Sequence, residues 1–336
     1  MALDILTFGE ALVEVMRTDV DQPLDQPALF TGPYPSGAPF IFAVQAARLG
    51  AQVGTVGAVG QDAFGKCLLD QLKTDKVDTR GIHVLPDYTT GVAFVGYKGD
   101  GSREFVFHAR HAAAGQLSPQ MLDKELFKGL KCLHIMGSTL SLHQQALDLG
   151  LRALELAQDV GAKISFDPNL RRQLMSPDRA RYAFAPFMEA ADVLMPSEEE
   201  LLLLGDAYHV EAVVQDLLED KPELVVVVTK GAEGCVVMTQ SDEYSIPGIG
   251  PMVTVDPINT YDVTEVDPTG AGDCFDAGFL TRWLAGDSPS DAAQFANACG
   301  ALAVTAKGPM AGARTLAEVQ AFMRDNKPKE DPEYEP

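Results

Sequence analysis

Short apolar runs recur along the chain, separated by longer stretches of mixed polarity. Runs at residues 4–8, 53–59, 132–136, 163–166, 193–195 and 224–229 are rich in Val, Ile, Leu and Phe, and they read as buried strands. Between them, residues 40–49, 63–73, 142–160 and 198–204 carry apolar positions at helical spacing. Asp62 stands before the second of these as a helix N-cap. Further helices are predicted near 270–285, 289–305 and 315–325. Strands and helices in alternation predict an α/β fold, a mostly parallel sheet covered by helices on both faces.

One region interrupts the alternation. Residues 22–39 are rich in Pro and Gly and read as irregular or edge-like. Residues 92–97 and 103–108 read as strands, and Lys98-Gly99-Asp100-Gly101-Ser102 between them has hairpin chemistry. Segments 22–39 and 91–109 together predict a small β-sheet lid inserted into a single domain of residues 1–325. The charged, proline-containing tail, 326–336, is expected to be disordered.

Composition narrows the function. A formal net charge of −22 argues against nucleic acid or an anionic membrane as partner, since both require positive patches. Five scattered cysteines (Cys67, Cys132, Cys235, Cys274 and Cys299) have neither zinc-ligand nor disulfide-framework spacing. No apolar run reaches membrane-spanning length, and the first fifteen residues show no targeting pattern, so the expected location is the cytoplasm.

The candidate chemistry lies in Asp267-Pro268-Thr269-Gly270-Ala271-Gly272-Asp273, which leads into an apolar helix. The glycines allow close backbone approach. The first N–H groups of a helix lack intrahelical partners and favour an anion. Gly270, Ala271 and Gly272 therefore form a candidate anion hole, and Asp273 a candidate general base for a hydroxyl attacking a bound phosphoryl group. An acidic residue in an ordinary first turn is the competing reading, and the heptapeptide alone leaves both open.

Six further segments in order decide between them. The heptapeptide with Cys274-Phe275 resembles the second signature of the ribokinase-like (pfkB) carbohydrate kinases. Ser36-Gly37-Ala38-Pro39, leading into Ala43 to Gly50, is similar to the first signature. Gly57-Ala58-Val59-Gly60-Gln61-Asp62-Ala63-Phe64-Gly65, Asp167-Pro168-Asn169-Leu170-Arg171, Ser197-Glu198-Glu199-Glu200 and Thr229-Lys230-Gly231-Ala232-Glu233-Gly234 match further family segments, and Asn297 to Gly308 matches the ending. The resemblance implies a three-layer α/β/α sandwich with a small β lid whose strands often pair with a second subunit, giving a homodimer. It also implies ATP-dependent phosphorylation of a sugar primary hydroxyl, with Mg²⁺. The pattern stands nearest to the kinases of ketohexoses such as tagatose or fructose, and next to 2-keto-3-deoxygluconate kinase.

Residue by residue, the resemblance gives Glu14, Gly37, Asn169 and Arg171 to the sugar, with Asp273. It gives Ser197, Thr229, Gly231, Gly234, Gly272 and Asn297 to ATP, Glu200 to water around Mg²⁺, and Asp267 and Thr269 to a monovalent cation such as K⁺. Two positions depart from it. Ile41 stands where the family places a sugar-binding Asn, and is expected to form an apolar wall that excludes ribose-like binding. Ser197 stands in place of another Asn. Ordinary structure competes at each position: Asn169 can cap its turn, Glu198 to Glu200 can simply start a helix, and His108, Arg110 and His111 can be surface residues. A dehydrogenase lacks support because Gly9-Glu10-Ala11-Leu12 is no G-x-G-x-x-G turn, and no P-loop motif occurs. A non-catalytic sugar or nucleotide sensor on the same fold remains the alternative of another class.

Overall fold

The computed structural model describes residues 2–99, 102–246 and 250–330. The chain begins with β1 (Ile5–Phe8), β2 (Leu12–Arg17), β3 (Phe30–Ser36), α1 (Ala38–Arg48), β4 (Val53–Gly60), α2 (Ala63–Thr74) and β5 (Asp78–Leu85). The strands β6 (Gly91–Tyr97), β7 (Arg103–His108) and β8 (Cys132–Met136) follow, then α3 (Gly137–Leu140), α4 (Gln144–Asp159), β9 (Lys163–Asp167) and α5 (Pro177–Ala190). Next come β10 (Val193–Leu194), α6 (Glu198–Gly205), α7 (Val210–Asp220), β11 (Val225–Thr229), β12 (Cys235–Ile246) and β13 (Gly250–Ile258). The described chain closes with α8 (Ala271–Trp283), α9 (Pro289–Ala303) and α10 (Leu316–Asp325).

The main sheet has nine strands in the order β13-β12-β11-β10-β9-β8-β1-β4-β5. From β11 to β5 every pairing is parallel, while β12 and β13 are antiparallel. Period-two alternation divides the side chains between two cores. Leu6, Leu133, Leu194 and Val226 pack on one side with helices α4 to α7. Their chain neighbours Ile5, Cys132, Val193 and Val225 pack on the other, with α1, α2, α8 and α9. This is the expected three-layer sandwich.

The lid is a separate four-stranded sheet, β3-β2-β6-β7. Two sequence expectations change here. The proline-rich stretch is not irregular throughout, because Phe30–Ser36 is an edge strand, a position where Pro33 and Pro35 cost no ladder bond in the sheet interior. The lid also includes Leu12–Arg17, which lies outside the predicted segments. In the hairpin, Lys98 N–H donates to the Ser102 carbonyl at 2.9 Å; Asp100 and Gly101 lie outside the described residues.

The tail needs correction as well. Pro328 bridges to Tyr261, and the Lys329 N–H donates to the Thr260 carbonyl at 2.7 Å. Residues 326–330 thus dock on the body, while 331–336 lie outside the described residues.

Candidate active site

Helix α8, like α1, opens on a glycine without a side-chain cap. Helices α2, α5, α6, α9 and α10 begin with an Asp, Ser or Thr side chain accepting from a first-turn N–H. At α8 the N-cap is Gly270, left-handed at φ 85°, with no capping side chain. A Cβ on Gly270 would come within 2.5 Å of the Pro309 carbonyl, so only glycine fits. A Cβ on Gly272 would meet nothing within 4 Å. That glycine is not demanded by packing, and the open space beside it belongs to a cavity.

The cavity, about 360 Å³, is lined by Thr229, Gly231, Gly234, Gly272, Phe275 and Asn297 among others, including Lys329. Gly234 is left without a side chain by the Ile258 carbonyl, which a Cβ would approach to 2.2 Å. Asn297 donates to the Ile258 carbonyl at 3.0 Å and holds the same wall. Ala271 and Gly272 also line the cavity, and the buried Asp273 follows them directly in the chain.

Around Asp273 and Glu14 the structure gathers carboxyls and two guanidinium groups. Asp273 is 7% exposed. Burial lifts its pKa well above the ordinary Asp value; Arg171 opposes the rise, while Asp167, Glu10 and Glu14 reinforce it. Glu10, at the end of β1, is held by Ser138 at 2.9 Å and Thr139 at 2.6 Å. Glu14 accepts from the Ser36 hydroxyl at 2.6 Å, and its Oε2 has no protein partner among the described residues. Burial pushes Glu14 up to about 7 against that bond; Asp267 adds to the rise, and Arg103 and Arg171 oppose it. Arg103 reaches from the lid and donates to the Thr269 hydroxyl at 2.7 Å. The small sheet and the 267–270 turn are therefore tied by a charged side chain.

The arrangement is an uncapped helix entrance, an adjoining cavity, and a buried carboxylate in the first turn that feels the charges of Glu10, Glu14, Asp167 and Arg171. It matches a known pattern along nearly the whole chain: a family model described as pfkB family carbohydrate kinase covers residues 2–316. The chain belongs to the pfkB family carbohydrate kinases. Fructokinase-1 of Oryza sativa subsp. japonica is 34% identical over 328 residues, 95% of this chain and 97% of that protein. An Escherichia coli protein provisionally named ribokinase II, solved with ATP and Mg²⁺, is 40% identical, with a TM-score of 0.86 over 97% of this chain and 100% of that one. Fructokinase from Vibrio cholerae, solved with fructose, ADP and calcium, is 29% identical, with a TM-score of 0.77 over 95% of this chain and 99% of that one. The chain is accordingly an ATP-dependent carbohydrate kinase.

Against this family frame, the expected residues divide. Gly270, Ala271, Gly272 and Asp273 sit together, with Glu14 and Arg171 close enough to act on Asp273. Thr229, Gly231, Gly234 and Asn297 line the cavity. Gly37, at φ 107°, is required by the Glu10 carbonyl, 2.1 Å from where its Cβ would be. Ile41 is 2% exposed and packs against Gly270, so it supports the turn from within the core instead of forming an open pocket wall. Asn169 spends its backbone and side-chain N–H groups on Asp167, at 3.0 and 2.9 Å. Its role in this structure is the turn. Ser197 does not line the cavity; it forms a capping box with Glu200. Glu200 accepts from Ser197 N–H and hydroxyl and from Leu170 N–H. Asp267 accepts from Thr269 N–H at 3.1 Å and Gly308 N–H at 2.9 Å. His108, Arg110 and His111 are exposed.

Sequence reasoning missed Glu10, Arg103, Asp167 and Asp276. Arg103 had a usable signal: on β7 it shares a face with Phe105 and Phe107, the face that meets Tyr97, Val95 and Ala93 of β6.

Proposed function

We propose that this kinase phosphorylates the primary hydroxyl of a ketohexose of the fructose type, using Asp273 as base. The observation that carries the reading is Asp273 itself: it follows the uncapped Gly270–Gly272 turn, whose residues Ala271 and Gly272 line the nucleotide-sized cavity, and it stands near enough to Glu14 to feel its charge. In the reaction the Asp273 carboxylate takes the hydroxyl proton as that oxygen bonds to the γ-phosphorus. The bond from the γ-phosphorus to the β,γ-bridging oxygen breaks, and ADP leaves with its electron pair. The N–H groups at 270–272 hold the charge on the transferring phosphoryl oxygens. Mg²⁺, when bound, neutralises phosphate charge and keeps several of its waters. Glu200 keeps lone-pair capacity to order one of those waters beyond its capping bonds. Glu14 Oε2 is the acceptor for a sugar hydroxyl.

The fructokinase relatives support the ketohexose. A second reading, a 2-keto-3-deoxy acid, is favoured by one observation: Arg171 and Arg103 both act on Glu14, so two cations face the sugar pocket. Asp267 and Thr269 are the place to look for K⁺ activation, which a Vibrio cholerae fructokinase variant solved with potassium makes worth testing. We also read the chain as a homodimer joined through the lid, on the exposed Leu29, Phe30 and Val106 and the unpaired lid edges. The five free thiols fit a reducing cytoplasm, and among the described residues no helix is long and apolar enough to cross a membrane.

A coupled ADP-release assay over fructose, tagatose, ribose and 2-keto-3-deoxygluconate, with size-exclusion chromatography, tests the reading. The highest kcat/KM on a ketohexose is expected. Preference for the keto-deoxy acid would replace the ketohexose, and preference for ribose would overturn both readings.

A further inference from the structure

Beneath the catalytic helix, the sheet carries a row of polar side chains where its face should be apolar. Thr55 on β4, Thr7 on β1, His134 on β8 and Ser165 on β9 stand in register across four neighbouring strands. All four are buried, at most 1% exposed. His134 is stacked on Phe42 of α1, with ring centroids 4.0 Å apart, so the row faces α1 and α8. Its Nδ1 meets the Ser165 hydroxyl at 3.1 Å, and its Nε2 points to Asp276 Oδ2 at 3.8 Å. Neither His134 Nε2 nor Asp276 Oδ2 has a closer protein partner among the described residues.

Asp276 lies one turn beyond Asp273 on α8 and is 2% exposed. Its carboxyl is within hydrogen-bonding reach of the Asp167 carboxyl at the end of β9. Asp167 already accepts two N–H groups from Asn169, so it is the acceptor of the pair. Two carboxyls in contact away from water cannot both be acceptors; one must carry a proton, and here the donor is Asp276. The groups facing it support this. Burial raises it first, and Asp167, Asp273 and Glu200 are all carboxyls that add to the rise. Burial keeps His134 down at about 3, hence neutral. Arg171 acts on Asp167 and Asp273.

We infer that Asp276, as a neutral acid, is a positioning residue: it donates to Asp167 while its other oxygen faces the neutral His134 ring, tying the catalytic helix to the 167–171 turn that presents Arg171 to Asp273. The tie keeps one negative charge out of the buried carboxyl group around the base. It also fixes the distance between base and guanidinium. This inference rests on the kinase reading only for its kinetic readout.

The test compares Asp276→Asn with Asp276→Leu. Asparagine supplies the same donor and acceptor; leucine supplies neither at similar volume. Asp276→Asn should keep kcat within about three-fold of wild type. Asp276→Leu should lower kcat ten-fold or more, with ADP binding measured by calorimetry changed less than about two-fold. Equal losses in both variants, or full activity in Asp276→Leu, would overturn the role. If the leucine variant does not fold, infrared difference spectra of wild type against Asp276→Asn decide. At pH 8 wild type should show the carbonyl band of a neutral carboxylic acid that the variant lacks, and absence of that band sinks the inference. The infrared readout needs no turnover, so it stands apart from any failure to identify the sugar.

Discussion

Replacing Glu14 by Gln should strengthen the fold and weaken sugar binding together. Glu14 is 5% exposed and has one hydrogen-bonded oxygen and one without a protein partner among the described residues. Its pKa rises from 4.5 to about 7, first through burial. The folded state therefore holds the proton more tightly than the unfolded chain. Stability from this group is complete below the unfolded value and is lost as pH rises through the folded one. By pH 8 the ionised, buried carboxylate costs about 3 kcal/mol. Gln cannot ionise, and its amide oxygen can still accept from Ser36. At ~2.1 cal/mol/K per residue, a chain of this length unfolds with about 0.7 kcal/mol/K, so the variant should melt roughly 4 °C higher at pH 8. At pH 5.5 Glu14 is already mostly protonated in the fold, and the gain should shrink by more than half.

The same change should raise the sugar KM. A charged acceptor is worth roughly 1.5–3 kcal/mol to a hydroxyl, which corresponds to about ten-fold to a hundred-fold. Calorimetric melts of ligand-free protein at both pH values, with steady-state kinetics, measure both halves. A variant that melts lower at pH 8, or a gain that does not depend on pH, refutes the burial argument. A pH-dependent gain with unchanged sugar KM keeps the burial argument and removes Glu14 from the sugar site.

Other outcomes follow from the same geometry. Asp273→Asn should lower kcat by ~10²–10⁴-fold with ADP binding retained, and single-turnover rates equal to wild type would exclude Asp273 as base. Because Asp273 is raised and must be ionised to accept a proton, kcat/KM in wild type should fall with acid at a pH above the ordinary carboxylate range; an acid limb at the ordinary Asp value would contradict the burial. Gly272→Ala should raise the ATP KM with melting unchanged, since its Cβ meets only open space in the ligand-free protein; a lower melting temperature would place the cost in packing instead. Ile41→Asn should destabilise by ~1–3 kcal/mol as a buried amide without partners, and leave the ratio of ketohexose to ribose kcat/KM unchanged; a shifted ratio would return Ile41 to the sugar wall.

Much of the main sheet was legible because its central strands are buried on both faces and so read as continuous apolar runs. The strands that escaped have mixed surroundings. β12 carries Thr239, Gln240 and Ser241 in its middle, and β5 is mostly half-exposed. β2 follows β1 after only three residues, and nothing local says that the chain leaves one sheet for another between Phe8 and Leu12. At the site, Gly270 to Asp273 were legible because a left-handed N-cap, an open glycine and an acid in the first turn are local facts. Ser197 and Glu200 were legible too, but as something else: Ser-x-x-Glu before an apolar run is the pattern of a capping box, and the local hydrogen bonds follow it.

The residues that escaped notice are those whose meaning depends on a distant partner. His134 falls inside an apolar run, and its alternation gives the face it points to and nothing more. Asp276 falls on a helix so buried that no polar side of it exists to mark an acid as unusual. Only the fold brings the two to 3.8 Å and sets Asp167 beside them. A polar atom that is buried must find a partner, and sequence reports the burial more readily than the partner. An acid in the middle of a buried helix is therefore worth pursuing before the structure is known: it either carries a proton or faces a donor. At Asp276, where Asp167 and Asp273 already press on one site, the proton is the physical consequence.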